Sequence, residues 1–93
     1  MIELEKYRIK DKIRLPIHII KNMQDYIWLF GYKTNFLFYT STLNIYLPNG
    51  YVISYYSTKN YALVFKNNRK MFSLNSWLAV LRFLSVVRGK NDY

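Results

Sequence analysis

The chain has 93 residues, 52% of them hydrophobic, and it carries 14 lysines and arginines against five acidic residues, a formal net charge of +9. A chain of this length buries only about 60–65% of its unfolded surface, so we expect residues 1–93 to form one basic domain. Because the cations are not confined to a tail, the folded body must carry them. Such a body attracts phosphate backbones, anionic lipid or acidic protein patches, and the attraction weakens with salt.

The residue counts also exclude several kinds of site. With no cysteine and one histidine, the chain cannot form disulfides, thiolate nucleophiles, cysteine-based metal sites or a multi-histidine site, so we expect no metal and no cofactor. No carboxylate pair or glycine-rich phosphate loop stands out, which predicts a protein that is not an enzyme. The first fourteen residues are charged throughout and do not match a signal peptide, so we expect a cytoplasmic location.

Cations alternate with apolar residues over residues 6–15. Alternate residues of a β-strand share a face, whereas a helix would scatter both sets around its axis. The pattern therefore predicts one strand with five cations on a single face, about 6.6 Å apart and repelling their neighbours by about 0.6 kcal/mol in water. An anionic partner would relieve that repulsion, and an edge strand protected by its own charge is the alternative.

Helical spacing follows this basic segment. Apolar residues recur every three or four positions over residues 16–30, Pro16 suits a helix start, and Gly31 stands where a terminating glycine is expected. A second helix is predicted over residues 74–88, with Ser73 as its cap and Gly89 just past its end. Its apolar stretch of about fourteen residues is shorter than the roughly 20 needed for a membrane span, so we expect a core helix. A basic amphipathic helix can bind anionic lipid, but the densest cations lie in the strand-like segment and few lie beside this helix, so we expect no membrane partner.

β-forming residues dominate between the two helices. We expect strands within residues 36–47, 51–57 and 61–65, with turns at residues 48–50 and 59–60 and a basic loop over residues 66–70. The short connections predict an antiparallel meander of about three or four strands packed against two amphipathic helices, which is an α+β fold. The predicted core consists of Ile20, Ile27, Leu43, Ile53, Leu63, Trp77, Leu81 and Leu84.

Aromatic residues are concentrated on the predicted sheet. They are Phe36, Phe38, Tyr39, Tyr46, Tyr51, Tyr55, Tyr56, Tyr61 and Phe65. Tyr55 and Tyr56 are neighbours on one strand, so they point to opposite faces, and one should lie away from the core unless both faces are covered. Exposed rings beside cations are typical of single-strand binders. The alternative is that these rings are simply good strand formers covered by the helices.

These patterns favour a small non-enzymatic module that binds single-stranded DNA or RNA. Its predicted nucleic-acid-binding residues are Lys6, Arg8, Lys10, Lys12, Arg14, Lys66, Arg69, Lys70, Tyr55 and Tyr56. The alternative is a protein-interaction module that assists or inhibits a larger, acidic replication or defence enzyme. Nine Asn, nine Ile and ten Tyr suggest an AT-rich coding sequence, as in a phage, plasmid or other mobile element.

The predicted order of strand, helix, three-stranded meander and terminal helix in a small basic chain resembles, in outline, the scaffold of the RelE/ParE toxins. Some members of that family cleave messenger RNA with basic side chains on the sheet. The resemblance therefore implies an RNA-cleaving toxin as a second alternative. The residues available for comparison are Arg69, Lys70 and Arg82, and they do not follow a recognised pattern.

Overall fold

The fold combines two helices with two antiparallel sheets, which confirms the α+β class. The computed structural model describes residues 4–90, with side chains for residues 4–87. The elements in chain order are β1 (Arg8–Ile9), β2 (Lys12–Ile13), α1 (Ile17–Leu29), β3 (Lys33–Leu37), β4 (Thr42–Tyr46), β5 (Tyr51–Tyr56), β6 (Tyr61–Lys66), β7 (Arg69–Leu74) and α2 (Trp77–Lys90). Single turns of 3-10 helix occupy Glu5–Tyr7 and Pro48–Gly50. Within residues 4–90, no helix is long and apolar enough to cross a membrane.

The basic segment is a short hairpin, so the prediction of one strand over residues 6–15 is wrong. The chain reverses at Lys10, whose φ is 57°, and β1 pairs antiparallel with β2. Arg8 lies opposite Ile13, and Ile9 lies opposite Lys12. Directly opposed residues share a face, so Arg8 and Lys12 lie on opposite faces of the hairpin. An alternating pattern fits two short arms as well as one long strand, and the predicted one-sided row of cations does not form.

The first helix follows its prediction closely. α1 runs over Ile17–Leu29 with Pro16 as its N-cap residue, and its buried stripe consists of Ile19, Ile20, Met23 and Ile27. Gly31 follows the helix with a φ of +89°, a left-handed conformation that glycine adopts without a Cβ penalty. The sequence spacing and the terminating glycine together set this element.

The large sheet is a five-stranded meander in the order β3-β4-β5-β6-β7, longer than the three or four strands predicted. Residues 36–47 do not form one strand, because a turn at residues 38–41 separates β3 from β4, with Ser41 at a φ of 52°. The predicted basic loop over residues 66–70 is also wrong. Asn67 and Asn68 both have positive φ, so they make a two-residue hairpin turn from β6 into a further strand, β7.

The start of the second helix lies further along the chain than predicted. Ser73 belongs to β7, and it is the Ser76 hydroxyl that accepts a hydrogen bond from the Ala79 amide at 3.0 Å, as an N-cap residue does. The helix extends to Lys90 and includes Gly89, since glycine in a last turn costs only about 1 kcal/mol relative to alanine.

The core lies between one face of the large sheet and the two helices. The predicted core residues Ile20, Ile27, Leu43, Ile53, Trp77 and Leu84 are buried, whereas Leu63 and Leu81 are half-buried. From α2, the ring of Trp77 meets Tyr55 at 5.0 Å between centroids, and Phe83 meets Phe72 at 5.4 Å. From α1, the indole nitrogen of Trp28 donates to the hydroxyl of Thr34 on β3.

Candidate nucleic-acid interface

Strand register divides the side chains of the large sheet between two unequal faces. The covered face packs against the helices, and its central residues are fully buried: Leu43, Ile45, Ile53, Tyr55, Ala62 and Val64. The opposite, open face carries seven large apolar or aromatic residues, none of them buried: Leu37, Tyr46, Val52, Tyr56, Tyr61, Leu63 and Phe65. The small polar Thr42 and Ser54 of this face are buried. Large apolar and aromatic side chains left accessible together on one face are typical of an interaction site.

A row of side chains crosses the open face with a lysine at each end. Lys33 lies opposite Tyr46, Tyr46 opposite Val52, Val52 opposite Phe65, and Phe65 opposite Lys70. Adjacent strands are about 4.8 Å apart, so the two lysines start from strands about 19 Å apart, with the two rings about 10 Å apart between them. We call this set the lysine-flanked row.

Two further rows run parallel to the lysine-flanked row. Nearest to it, Asn44 lies opposite Ser54, and the Ser54 hydroxyl donates to the Asn44 side-chain oxygen at 2.8 Å. Beyond that polar row, Tyr56 lies opposite Tyr61. Four residues of strand separate this tyrosine pair from the lysine-flanked row, a distance of about 13 Å. The open face therefore offers two groups of rings with hydrogen-bonding groups between them.

The charge around the sheet is of one sign. Residues 26–91 contain no aspartate or glutamate, so no carboxylate lies on β3 to β7 or on the turns that join them. The cations of β3 to β7 and of the turns between them are Lys33, Lys59, Lys66, Arg69 and Lys70. Among the described side chains, the salt bridge is formed between Arg8 and Glu5. Both residues precede β3 in the chain, so it involves no residue of the large sheet. A polyanion on the large sheet would therefore meet no carboxylate of the sheet itself.

The basic hairpin β1–β2 lies at one end of the sheet. The Ile13 amide donates to the Thr58 carbonyl at 2.9 Å, which ties the hairpin to the turn between β5 and β6, next to the tyrosine pair. Arg8 donates two hydrogen bonds to Glu5, at 2.7 and 2.8 Å, and this bonding holds the pKa of the Glu5 carboxyl below its usual range. Lys6 lies over the ring of Tyr7 at 5.4 Å.

The remaining hairpin cations are exposed. They are Lys10, Lys12 and Arg14. Lys10 and Lys12 lie on the hairpin that adjoins the tyrosine end of the open face, and Arg14 directly follows it. This end therefore has net positive charge despite the exposed Asp11, although without the single-faced order that the sequence predicted.

Of the two tyrosines predicted to stack on bases, Tyr55 is on the wrong face. It is fully buried, and its hydroxyl donates to the Asn60 side-chain oxygen at 2.7 Å. Burial raises the pKa of the Tyr55 phenol above its ordinary value. Tyr56 is half-buried on the open face. Helices cover the side of β5 that carries Tyr55, which leaves Tyr56 as the available ring of the two.

The three cations predicted in the loop over residues 66–70 are split between the faces. Lys66 is on the covered-face side, with its ammonium 4.9 Å from the ring centre of Tyr51, and Arg69 lies directly opposite it. Lys70 lies opposite Phe65 on the open face. Arg82 is exposed on α2, so the residues compared with the RNA-cleaving toxins do not converge on one surface. Among the described residues, no group of three or more histidines or acidic residues could hold a metal ion.

Sequence reasoning missed Lys33 and did not separate Tyr46, Tyr61 and Phe65 from the other aromatic residues. Strand parity contained part of the signal, because Tyr46 is out of phase with the buried Leu43 and Ile45. Lys33 precedes residues 36–47, in which the first strand of the meander was predicted, so no sequence signal assigned Lys33 to the sheet.

Comparison of the chain with protein-family models, curated proteins and solved structures gave no match. The function is therefore inferred from the geometry and the charges of the open face.

Proposed function

We propose that this chain is a single-stranded nucleic-acid-binding module whose open face takes the bases and whose flanking cations meet the phosphates. The lysine-flanked row is the observation that carries the proposal. Tyr46, 43% exposed, and Phe65 offer rings on which unpaired bases can stack, a contact worth about 1–3 kcal/mol per base. Lys33 and Lys70 stand at the two edges, where the phosphates of a strand crossing the sheet would lie.

Several features favour a single strand over a duplex. Rings on a sheet can stack only on bases that are not already stacked within a helix. Between the two groups of rings lies the half-buried Asn44, whose side-chain amide is a hydrogen-bonding group for a base edge, while the buried Ser54 holds its side-chain oxygen. The basic hairpin adds further cations beyond the tyrosine pair, where a strand that turns from the lysine-flanked row toward that pair would meet them.

Single charge reversals test the phosphate contacts. Binding of labelled oligo-dT and oligo-U, about 20 nucleotides long to exceed one site, is measured by fluorescence anisotropy over a range of salt concentrations. Each lost phosphate contact lowers the steepness of the log–log salt dependence by about 0.7 for a single strand. We expect that reduction for Lys33→Glu and for Lys70→Glu. Arg82→Glu makes the same change of charge on α2 and should leave the slope nearly unchanged. Equal effects of all three variants would show that only net charge matters and would remove the lysines from the site.

Loss of a ring tests the stacking contacts. Phe65→Ala should weaken binding by about 1–3 kcal/mol with a smaller change in salt dependence, because no charge is removed. Tyr39→Ala is the matched control, since Tyr39 is a fully exposed ring in the turn after β3 outside the lysine-flanked row. Unchanged affinity of Phe65→Ala, or no binding of wild-type protein at low salt, would refute the proposed function.

A further inference from the structure

A groove lies on the other side of the sheet from the open face, between α1 and β3. Its volume is about 370 Å³, and it is lined by Ile17, Ile20, Lys21, Gln24, Trp28, Phe36 and Phe38. Two of its rings are well exposed, Trp28 at 55% and Phe38 at 71%. Large apolar side chains are seldom left this accessible in such a cluster unless something binds them.

The wall of the groove is fixed before any ligand binds. The Trp28 indole nitrogen donates to the Thr34 hydroxyl oxygen at 2.9 Å, and the Gln24 amide donates to the same oxygen at 3.1 Å. These two bonds join α1 to β3 and hold the indole in place. A ligand in the groove would meet a preorganised aromatic surface, which lowers the ordering cost of binding.

The strand beside the groove is an unprotected sheet edge. All five residues of β3 pair with β4 without a register shift. At the opposite edge, β7 carries a bulge at Met71 and begins with Arg69 and Lys70, and both a bulge and edge cations discourage pairing with another chain. β3 has one cation, Lys33, at its start. The sheet is therefore open to strand addition at β3 rather than at β7.

A strand added to β3 would bring its side chains to the groove. It would lie about 4.8 Å beyond β3, and every second side chain would project to the side of Phe36, beneath α1. Lys21 is in the groove wall, and no lining residue is acidic. The body as a whole is strongly cationic, so an acidic segment is attracted and a second copy of this chain is repelled.

We propose that β3 is an addition site for an extended, acidic segment of a partner protein, with one apolar side chain of that segment seated in the groove between α1 and β3. Backbone hydrogen bonds supply part of the affinity, the groove selects the apolar side chain, and Lys21 selects the charge. The groove lies on the opposite face of the sheet from the rings of the lysine-flanked row, although an added strand would also pass beside Lys33; the proposal does not depend on the proposed nucleic-acid function.

A display library of short random peptides, selected on the full chain, supplies the probe. Selected peptides should alternate acidic and apolar residues, and a synthetic copy should bind with an affinity that falls with salt. Trp28→Ala should lower the affinity for that peptide at least about tenfold, as loss of an aromatic anchor does. Met71→Ala, which removes a comparably exposed apolar side chain from the β7 edge, should leave binding unchanged. Lys21→Glu should weaken binding about 2–5-fold, the effect of one exposed ion pair, and more than Arg82→Glu.

Further measurements separate strand addition from other contacts. Phe38→Ala repeats the anchor test in a turn, where folding is least affected. Bound peptide should slow hydrogen exchange of β3 amides and not of β7 amides. Selection of no peptide, selection of peptides without the alternating acidic pattern, or binding that survives both Trp28→Ala and Phe38→Ala would overturn the proposal. A dimer in sedimentation equilibrium whose interface is lost in Trp28→Ala would assign the groove to a second copy instead.

Discussion

Replacement of Asn60 should release the turn between β5 and β6 from α2. The Asn60 side-chain oxygen accepts two hydrogen bonds, from the Tyr55 hydroxyl at 2.7 Å and from the Trp77 amide at 2.8 Å. Its φ is 49°, so Asn60→Gly keeps the backbone conformation while it removes both bonds. A buried hydroxyl left without a partner costs about 1–3 kcal/mol, and the lost bond at the start of α2 adds about 1 kcal/mol. We expect a total loss of about 2–4 kcal/mol in the free energy of unfolding.

Urea unfolding followed by circular dichroism measures this loss. Asn68→Gly is the matched control, because Asn68 also has positive φ, 68°, in an exposed turn, and it should cost less than about 1 kcal/mol. In the double variant Tyr55→Phe/Asn60→Gly no hydroxyl is left unpaired, so the combined cost should be smaller than the sum of the single costs by about 1 kcal/mol. Strict additivity, or equal effects of Asn60→Gly and Asn68→Gly, would refute the reasoning.

Three further predictions concern stability. Gly50→Ala should lower the melting temperature more than Gly31→Ala, because both glycines have positive φ but an added Cβ meets the Asn67 side chain only at Gly50; equal shifts would contradict this. Burial raises the pKa of Tyr55, so the folded state keeps its proton more tightly than the unfolded state; stability should fall above pH ~10 by up to about 1.4 kcal/mol per pH unit. Tyr55→Phe should flatten that fall in urea midpoints measured against pH, and an unchanged slope would argue against it. Ser76→Ala should cost about 1 kcal/mol in urea unfolding by removing the N-cap bond to α2, and a neutral effect would mean that another group replaces the cap.

Local sequence signals were sufficient where one element decides its own structure. The spacing of Ile20, Met23 and Ile27, with Gly31 after them, placed α1 almost to the residue. The Pro48-Asn49-Gly50 sequence placed the turn before β5. In both cases the signal comes from glycine, which is favoured where φ is positive, and from proline, whose φ is fixed.

The errors came from turns without glycine or proline. Ser41, Lys10 and the pair Asn67-Asn68 all have positive φ, and no short-range pattern marks the first two as reversals. Once those turns are missed, an alternating sequence such as residues 6–15 is assigned to one strand, and every later side chain is placed on an uncertain face. A single-residue error of register moves a side chain to the opposite face of a sheet.

The open face could be predicted from the sequence only in part, because which side of the sheet the helices cover depends on how they pack. Tyr55 shares a strand face with Ile53, which was predicted to lie in the core, so strand parity indicated that Tyr55 rather than Tyr56 is buried. In the structure Trp77 of α2 packs against that ring. The alternation of Tyr46 with Leu43 and Ile45 does indicate that Tyr46 lies away from the core. Combining strand parity with the turn positions would therefore have recovered much of the lysine-flanked row.

Intermolecular nuclear Overhauser effects between a single-stranded oligonucleotide and the aromatic rings test the central claim most directly. In the complex with oligo-dT, base protons should show contacts to the rings of Tyr46 and Phe65 on the open face and none to Tyr26 or Trp28 of α1. Base contacts confined to α1 or to the basic hairpin, or none at saturating oligonucleotide, would contradict a nucleic-acid site on the open face.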